Sequence, residues 1–115
     1  MKISVENRIK TVNKLTKSGV KIMAGSDSPW GSYPPGQFYK EIEALQNAGM
    51  SNYEAILAGT KYSAQSIGLG NQSGVLEIGR NADILIVKGN PLRKISDLSN
   101  PIQVYKKGIK QKNEL

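Results

Sequence analysis

The sequence predicts a mixed α/β fold, and three stretches of the 115-residue chain carry that prediction. Apolar residues Val5, Ile9, Val12 and Leu15 recur every three or four positions, the stripe of an amphipathic helix over 4–18. After Ser18-Gly19 a short apolar run, Val20 to Ala24, follows with almost no linker, a helix-to-strand step typical of layered α/β architecture. Far downstream, Ile84-Leu-Ile-Val87 is an unbroken apolar run that reads as a strand buried on both faces.

The run at 20–24 carries one lysine, is entered from a glycine and is left through Gly25-Ser26-Asp27. This pattern reads as a buried parallel strand whose C-terminal end delivers an acid into a loop. In open α/β sheets and (β/α) barrels chemistry gathers at the C-terminal strand ends, which makes Asp27 a site candidate. The alternative is that Asp27 caps a turn continued by Ser28-Pro29. Ser28 to Gly36 holds Pro29, Pro34 and Pro35, which forbid a helix or a central strand and shape a loop. Its aromatics, Trp30 and Tyr33, serve equally well as a pocket wall or as a hydrophobic plug.

Gln37 to Ala48 is expected to be helical, with Phe38, Ile42, Leu45 and Ala48 inward and Gly49 as a left-handed C-cap. Ser51-Asn-Tyr-Glu54 is a capping box that opens the next helix, continued by Ile56, Gly59, Tyr62 and Ser63 and stopped at Gly68 or Gly70. Of the nearby acids, Glu41 alone stands at the loop-facing start of its helix and is retained as a minor candidate. Gly74 to Gly79 reads as a short extended piece, Lys88-Gly-Asn-Pro91 as a turn, Leu92 to Leu98 as a loop or short helix, and Pro101 to Tyr105 as a last strand. Lys107-Gly108 offers a tight turn before a lysine-rich end expected to be disordered.

Composition narrows the chemistry. The chain has no histidine, which removes the commonest general base and the commonest metal ligand together. It also has no cysteine, so it offers neither disulfides nor thiolates, and a zinc site built from this chain alone would have only carboxylates to use. Neither a Gly-Lys-Ser/Thr phosphate loop nor GxGxxG occurs. The net charge of +7 comes largely from lysines near the two ends, without arginine clusters or interleaved aromatics, so solvated faces rather than nucleic acid or membrane explain it. No stretch approaches a membrane span and the N-terminus lacks the apolar core of a signal peptide, so a soluble, cytoplasmic protein is expected.

Taken in order, four pieces resemble the C-terminal portion of an amidohydrolase-superfamily enzyme of the imidazolonepropionase-like or prolidase-like kind. Gly19 to Asp27 is similar to the last barrel strand with its metal-site aspartate. Glu41 to Ser51, Glu54-Ala-Ile, Thr60 to Ala64 and Gly68-Leu69 resemble the helices that follow it. Gly74 to Val87 resembles the glycine, short strand, glycine, Ala-Asp, strand signature of an accessory β-domain, which Asn90-Pro-Leu92, Ile95 and Val104 to Gly108 close.

The resemblance implies the last helix–strand–helix units of a TIM barrel in residues 1–70, the C-terminal strands of the β-domain in 71–110, and a tail at 111–115. In isolation this makes a mixed α+β fragment. It implies Asp27 as metal ligand and general base, Trp30 and Tyr33 near the substrate, and a small-molecule substrate whose C–N bond is hydrolysed with a divalent metal, most simply zinc. The family's metal-binding histidines and lysine have no counterpart here, so the chain alone is expected to hold no metal and to be inactive. Its strands would lack neighbours. Association is therefore expected, as a homodimer or with the missing N-terminal part. The alternative is a non-catalytic, self-associating module derived from such an enzyme.

Overall fold

The computed structural model describes residues 4–28 and 34–112. Helix α1 spans Val5–Lys17; Ser4 caps it by accepting the Asn7 N–H, and Ser18 ends it. Helices α2 (Tyr39–Asn47), α3 (Asn52–Ala58) and α4 (Lys61–Ser66) follow. Strands β1 (Ile84–Val87), β2 (Pro101–Lys106) and β3 (Ile109–Lys110) form an antiparallel sheet in that order, with a 3-10 turn at Ile95–Ser99 between β1 and β2. No helix among the described residues is long and apolar enough to cross a membrane.

The core sits where α2 and α3 meet. Ile42, Leu45, Ala48, Met50, Ala55 and Ala58 are buried there, the small alanines letting the two helices approach closely. Val12, Ile22, Ala24, Ile95 and Leu98 pack against this cluster, so the 3-10 turn joins the sheet region to the helices. Gly49, at φ 110°, adopts the left-handed conformation expected of a cap beyond α2. The capping box is present: Ser51 Oγ accepts the Glu54 N–H at 3.1 Å.

Four expectations are corrected. Val20–Ala24 belongs to no strand: no strand stands beside it among the described residues, and Val20 and Met23 are exposed. The helix opened by Ser51 breaks at Gly59-Thr60, where Thr60 takes φ −130° and ψ −90°, and restarts as α4. Gly74 to Gly79 is a series of bends rather than an extended strand, and Leu76 and Ile78 face solvent. Ile84–Val87 is a strand but is not buried on both faces: Leu85 and Ile86, which alternate onto opposite faces of the sheet, are both exposed, and only β2 flanks β1 among the described residues. The helical stripe of α1 is present but open, with Val5, Ile9 and Leu15 exposed and only Val12 reaching the core.

The turn at Lys107-Gly108 is tight, as expected. Both residues have positive φ (49° and 79°), the signature of a two-residue type I′ hairpin between β2 and β3. Beyond it the chain keeps its pairing: the Gln111 N–H donates to Val104 O at 2.9 Å, and Gln103 Nε2 donates to Gln111 O at 2.8 Å. Of the tail expected at 111–115, residues 113–115 lie outside the described residues.

Candidate functional site

Gly19, at φ 81°, turns the chain out of α1, and the Val20 N–H closes that turn on Leu15 O at 3.3 Å. From Val20 to Asp27 the chain is neither helix nor strand. Ile22, Ala24 and Ser26 are half-buried, Ile22 and Ala24 against the helical core, while Lys21, Met23, Gly25 and Asp27 are exposed. This two-residue alternation is that of a strand, although no ladder forms. The Ala24 N–H donates to Ala58 O at 2.9 Å and anchors the segment to the end of α3. Lys21 places its ammonium 5.4 Å from the centroid of the Tyr62 ring, a cation–π contact worth about 0.5–1 kcal/mol at an exposed site. This contact joins residues far apart in sequence, and no local pattern could have revealed it.

Asp27 closes the segment. It is exposed and takes φ 53°, a left-handed conformation that aspartate tolerates better than most side chains. Trp30 and Tyr33 lie outside the described residues. Glu41 stands in the first turn of α2, half-buried, and burial pushes its carboxyl above the usual glutamate value.

The described residues do not by themselves fit a metal: no group of three or more histidine, cysteine, aspartate or glutamate side chains comes together among them. A structural or catalytic zinc site takes at least three protein ligands, and Asp27 offers one carboxylate. Nor does Asp27 line either of two surface depressions. One, about 330 Å³, is bounded by Lys61, Gln65, Ser73, Leu76, Glu77 and Arg80. Its arginine is already committed, paired with Glu77 at 2.9 Å and donating to the Gly70 carbonyl, so it braces a loop. The second runs along α1 beside Ile9, Lys10, Asn13, Lys14 and Lys17.

The sequence profile of the amidohydrolase family matches residues 3–110. The chain is 27% identical over 107 residues to the imidazolonepropionase of Syntrophobacter fumaroxidans, covering 90% of this chain and 25% of that protein. It is 34% identical over 70 residues to the imidazolonepropionase of Thermoplasma volcanium, covering 61% of this chain and 17% of that protein. Among solved structures, a Xaa-Pro dipeptidase with methionine bound in its active site superposes with a TM-score of 0.84 at 31% identity, over 94% of this chain and 26% of that one. The chain thus spans about a quarter of the length of such relatives.

Proposed function

The chain belongs to the amidohydrolase family, and from that premise we propose that it is the terminal part of a metal-dependent hydrolase of non-peptide or small-peptide C–N bonds. Residues 1–70 would supply the end of the barrel and 71–110 the closing strands of the accessory β-domain. The observation that supports this reading is the position of Asp27, an exposed carboxylate directly after a segment whose alternate residues Ile22 and Ala24 pack on the helical core. In a completed barrel Asp27 would be one ligand of a divalent cation, zinc by preference, and would accept the proton of the attacking water. Trp30 and Tyr33, which follow Asp27 in the sequence, would border the small-molecule substrate. The metal would supply the acidity that ionises water near neutral pH. No catalytic step is assigned to the chain alone, because one carboxylate holds no such ion.

The test is Asp27→Asn in an enzyme completed upstream by the family's histidine-bearing strands. We expect turnover to fall by roughly 10²–10⁴-fold, the scale of a lost general base, together with a loss of bound metal. Unchanged turnover and metal content would remove the role given to Asp27.

A second reading, a non-catalytic self-associating module, is favoured by the missing ligand group and the complete lack of histidine. Metal analysis of the purified chain separates the two. Stoichiometric zinc contradicts the module, whereas a metal-free chain that dimerises and leaves amide substrates untouched supports it.

A further inference from the structure

The last four carbonyls of a helix have no intrahelical partner and must be satisfied from outside it. In α3 they belong to Ala55, Ile56, Leu57 and Ala58. The Gly59 N–H serves Ala55 at 3.3 Å and Ile56 at 3.1 Å, and the Thr60 N–H serves Leu57 at 3.2 Å. Thr60 Oγ1 also bonds back to Ile56 O at 2.7 Å, an arrangement that bends a helix.

Ala58 is the exception. Had the helix continued, its carbonyl would take the Tyr62 N–H. Here it accepts the Ala24 N–H at 2.9 Å and the Ser63 hydroxyl at 2.5 Å. A serine inside a helix reaches back three or four residues, not five, so the Ser63 bond depends on the break at Gly59-Thr60. Ala58 is 0% exposed, and bulk water cannot stand in for either donor. Tyr62, the residue before Ser63, meets the same segment through the Lys21 ammonium, 5.4 Å from its ring centroid. The chain ahead of Asp27 is therefore tied at Lys21 and at Ala24, to the first turn of α4 and the end of α3. One tie would fix a point; two fix a direction.

We propose that the break between α3 and α4 positions Asp27, with Ser63 as the positioning residue: its hydroxyl shares the Ala58 carbonyl with the Ala24 N–H and so fixes where that carbonyl points and where the chain ahead of the acid lies. Tyr62 supplies the second tie. The catalytic value of this arrangement rests on the reading of Asp27 given above, whereas the positioning itself does not.

NMR of the isotopically labelled full chain tests the positioning. Ser63→Ala should move the Ala24 and Asp27 amide proton shifts in the folded chain and speed Ala24 amide exchange by about 10-fold. Ser63→Thr, which restores the hydroxyl, should return both shifts towards their native values. Ser51→Ala loosens α3 from its other end and touches none of these groups, so the Asp27 shift should stay where it is. Tyr62→Leu cuts the second tie alone and should also displace the Asp27 signal; it decides the matter if Ser63→Ala does not fold. An Asp27 amide that stays put in folded Ser63→Ala (or, failing that, in Tyr62→Leu), or that moves as far in Ser51→Ala, overturns the proposal. In an enzyme completed upstream, Ser63→Ala should lower kcat by about 10-fold or more at nearly unchanged KM, as a displaced catalytic group does. A kcat untouched by Ser63→Ala where Asp27→Asn abolishes turnover overturns it as well. If Ser63→Ala moves the Asp27 amide but Asp27→Asn leaves turnover and metal content intact, the positioning stands and the role given to Asp27 falls.

Discussion

The Asp83 carboxylate accepts the main-chain N–H of Lys107 at 2.9 Å, across 24 residues of sequence. It also accepts the Ser73 hydroxyl at 2.9 Å and the Lys106 ammonium at 3.3 Å, so one side chain ties the loop before β1 to the β2–β3 hairpin. The Lys107 amide, then Ser73 and Lys106, hold the Asp83 carboxyl below the usual aspartate value. A depressed folded value stabilises the fold above the unfolded pKa of about 3.9, and that contribution is lost as pH falls through the folded value. Asp83→Asn should therefore melt lower than the native chain at neutral pH, and the gap should close in strong acid. Thermal melts across the acid range check it; a gap that stays constant with pH would assign the effect to packing instead.

The hairpin turn itself invites improvement. Lys107 occupies φ 49°, where an ordinary L-residue is strained by up to about 1 kcal/mol or more, and Asn is better tolerated there. Lys107→Asn creates the Asn-Gly pair that type I′ turns favour and leaves the main-chain bond to Asp83 in place. We expect a gain of about 0.5 kcal/mol, read as a higher urea midpoint at unchanged slope.

Ser51 caps α3 through the Glu54 N–H at 3.1 Å. Ser51→Ala orphans that donor and should cost about 1 kcal/mol, measured by urea unfolding. Ser51→Gly should cost only a few tenths of that unit, since glycine is itself an acceptable cap.

Gly59 lets α2 and α3 touch. A Cβ there would stand 2.7 Å from Ile42 Cδ1 and 3.2 Å from Phe38 Cε1. Because Ile42 is buried, Gly59→Ala should cost about 1–3 kcal/mol through overpacking. Ile42→Val deletes the atom in the way, so the double variant should be more stable than the sum of the two single losses predicts.

Glu41 should titrate with the opposite sign to Asp83. Its folded value is raised by burial, so ionisation penalises the fold above that value and the penalty fades as pH falls towards the unfolded value of about 4.3. Glu41→Gln should melt higher than the native chain at neutral pH and coincide with it in acid. A lower melt at neutral pH would show that the ionised carboxylate has a stabilising partner.

Local chemistry was legible from the residues. The stripe of α1, the Ser51–Glu54 cap, the left-handed Gly49 and the Lys107-Gly108 hairpin each depend on neighbours within a few positions, and each stands as read. What depended on distant partners was not. Val20–Ala24 and Ile84–Val87 carry the apolar composition of strands enclosed on both sides, but enclosure is supplied by neighbours, and the described chain provides too few. The break at Thr60 escaped because Gly59 followed by a β-branched residue is tolerated inside many helices. Asp27 could be singled out as a candidate from the glycine-flanked apolar segment before it. Its partners could not, since no local spacing names them.

The bare ribbon from Val20 to Asp27 also bears on how long the molecule survives in a cell. Chaperones and proteases act on exposed apolar segments and unpaired strands, and a difference of one or two kcal/mol in their exposure changes abundance several-fold. A chain in which Val20 and Met23 stay uncovered should be cleared faster than one in which they are covered.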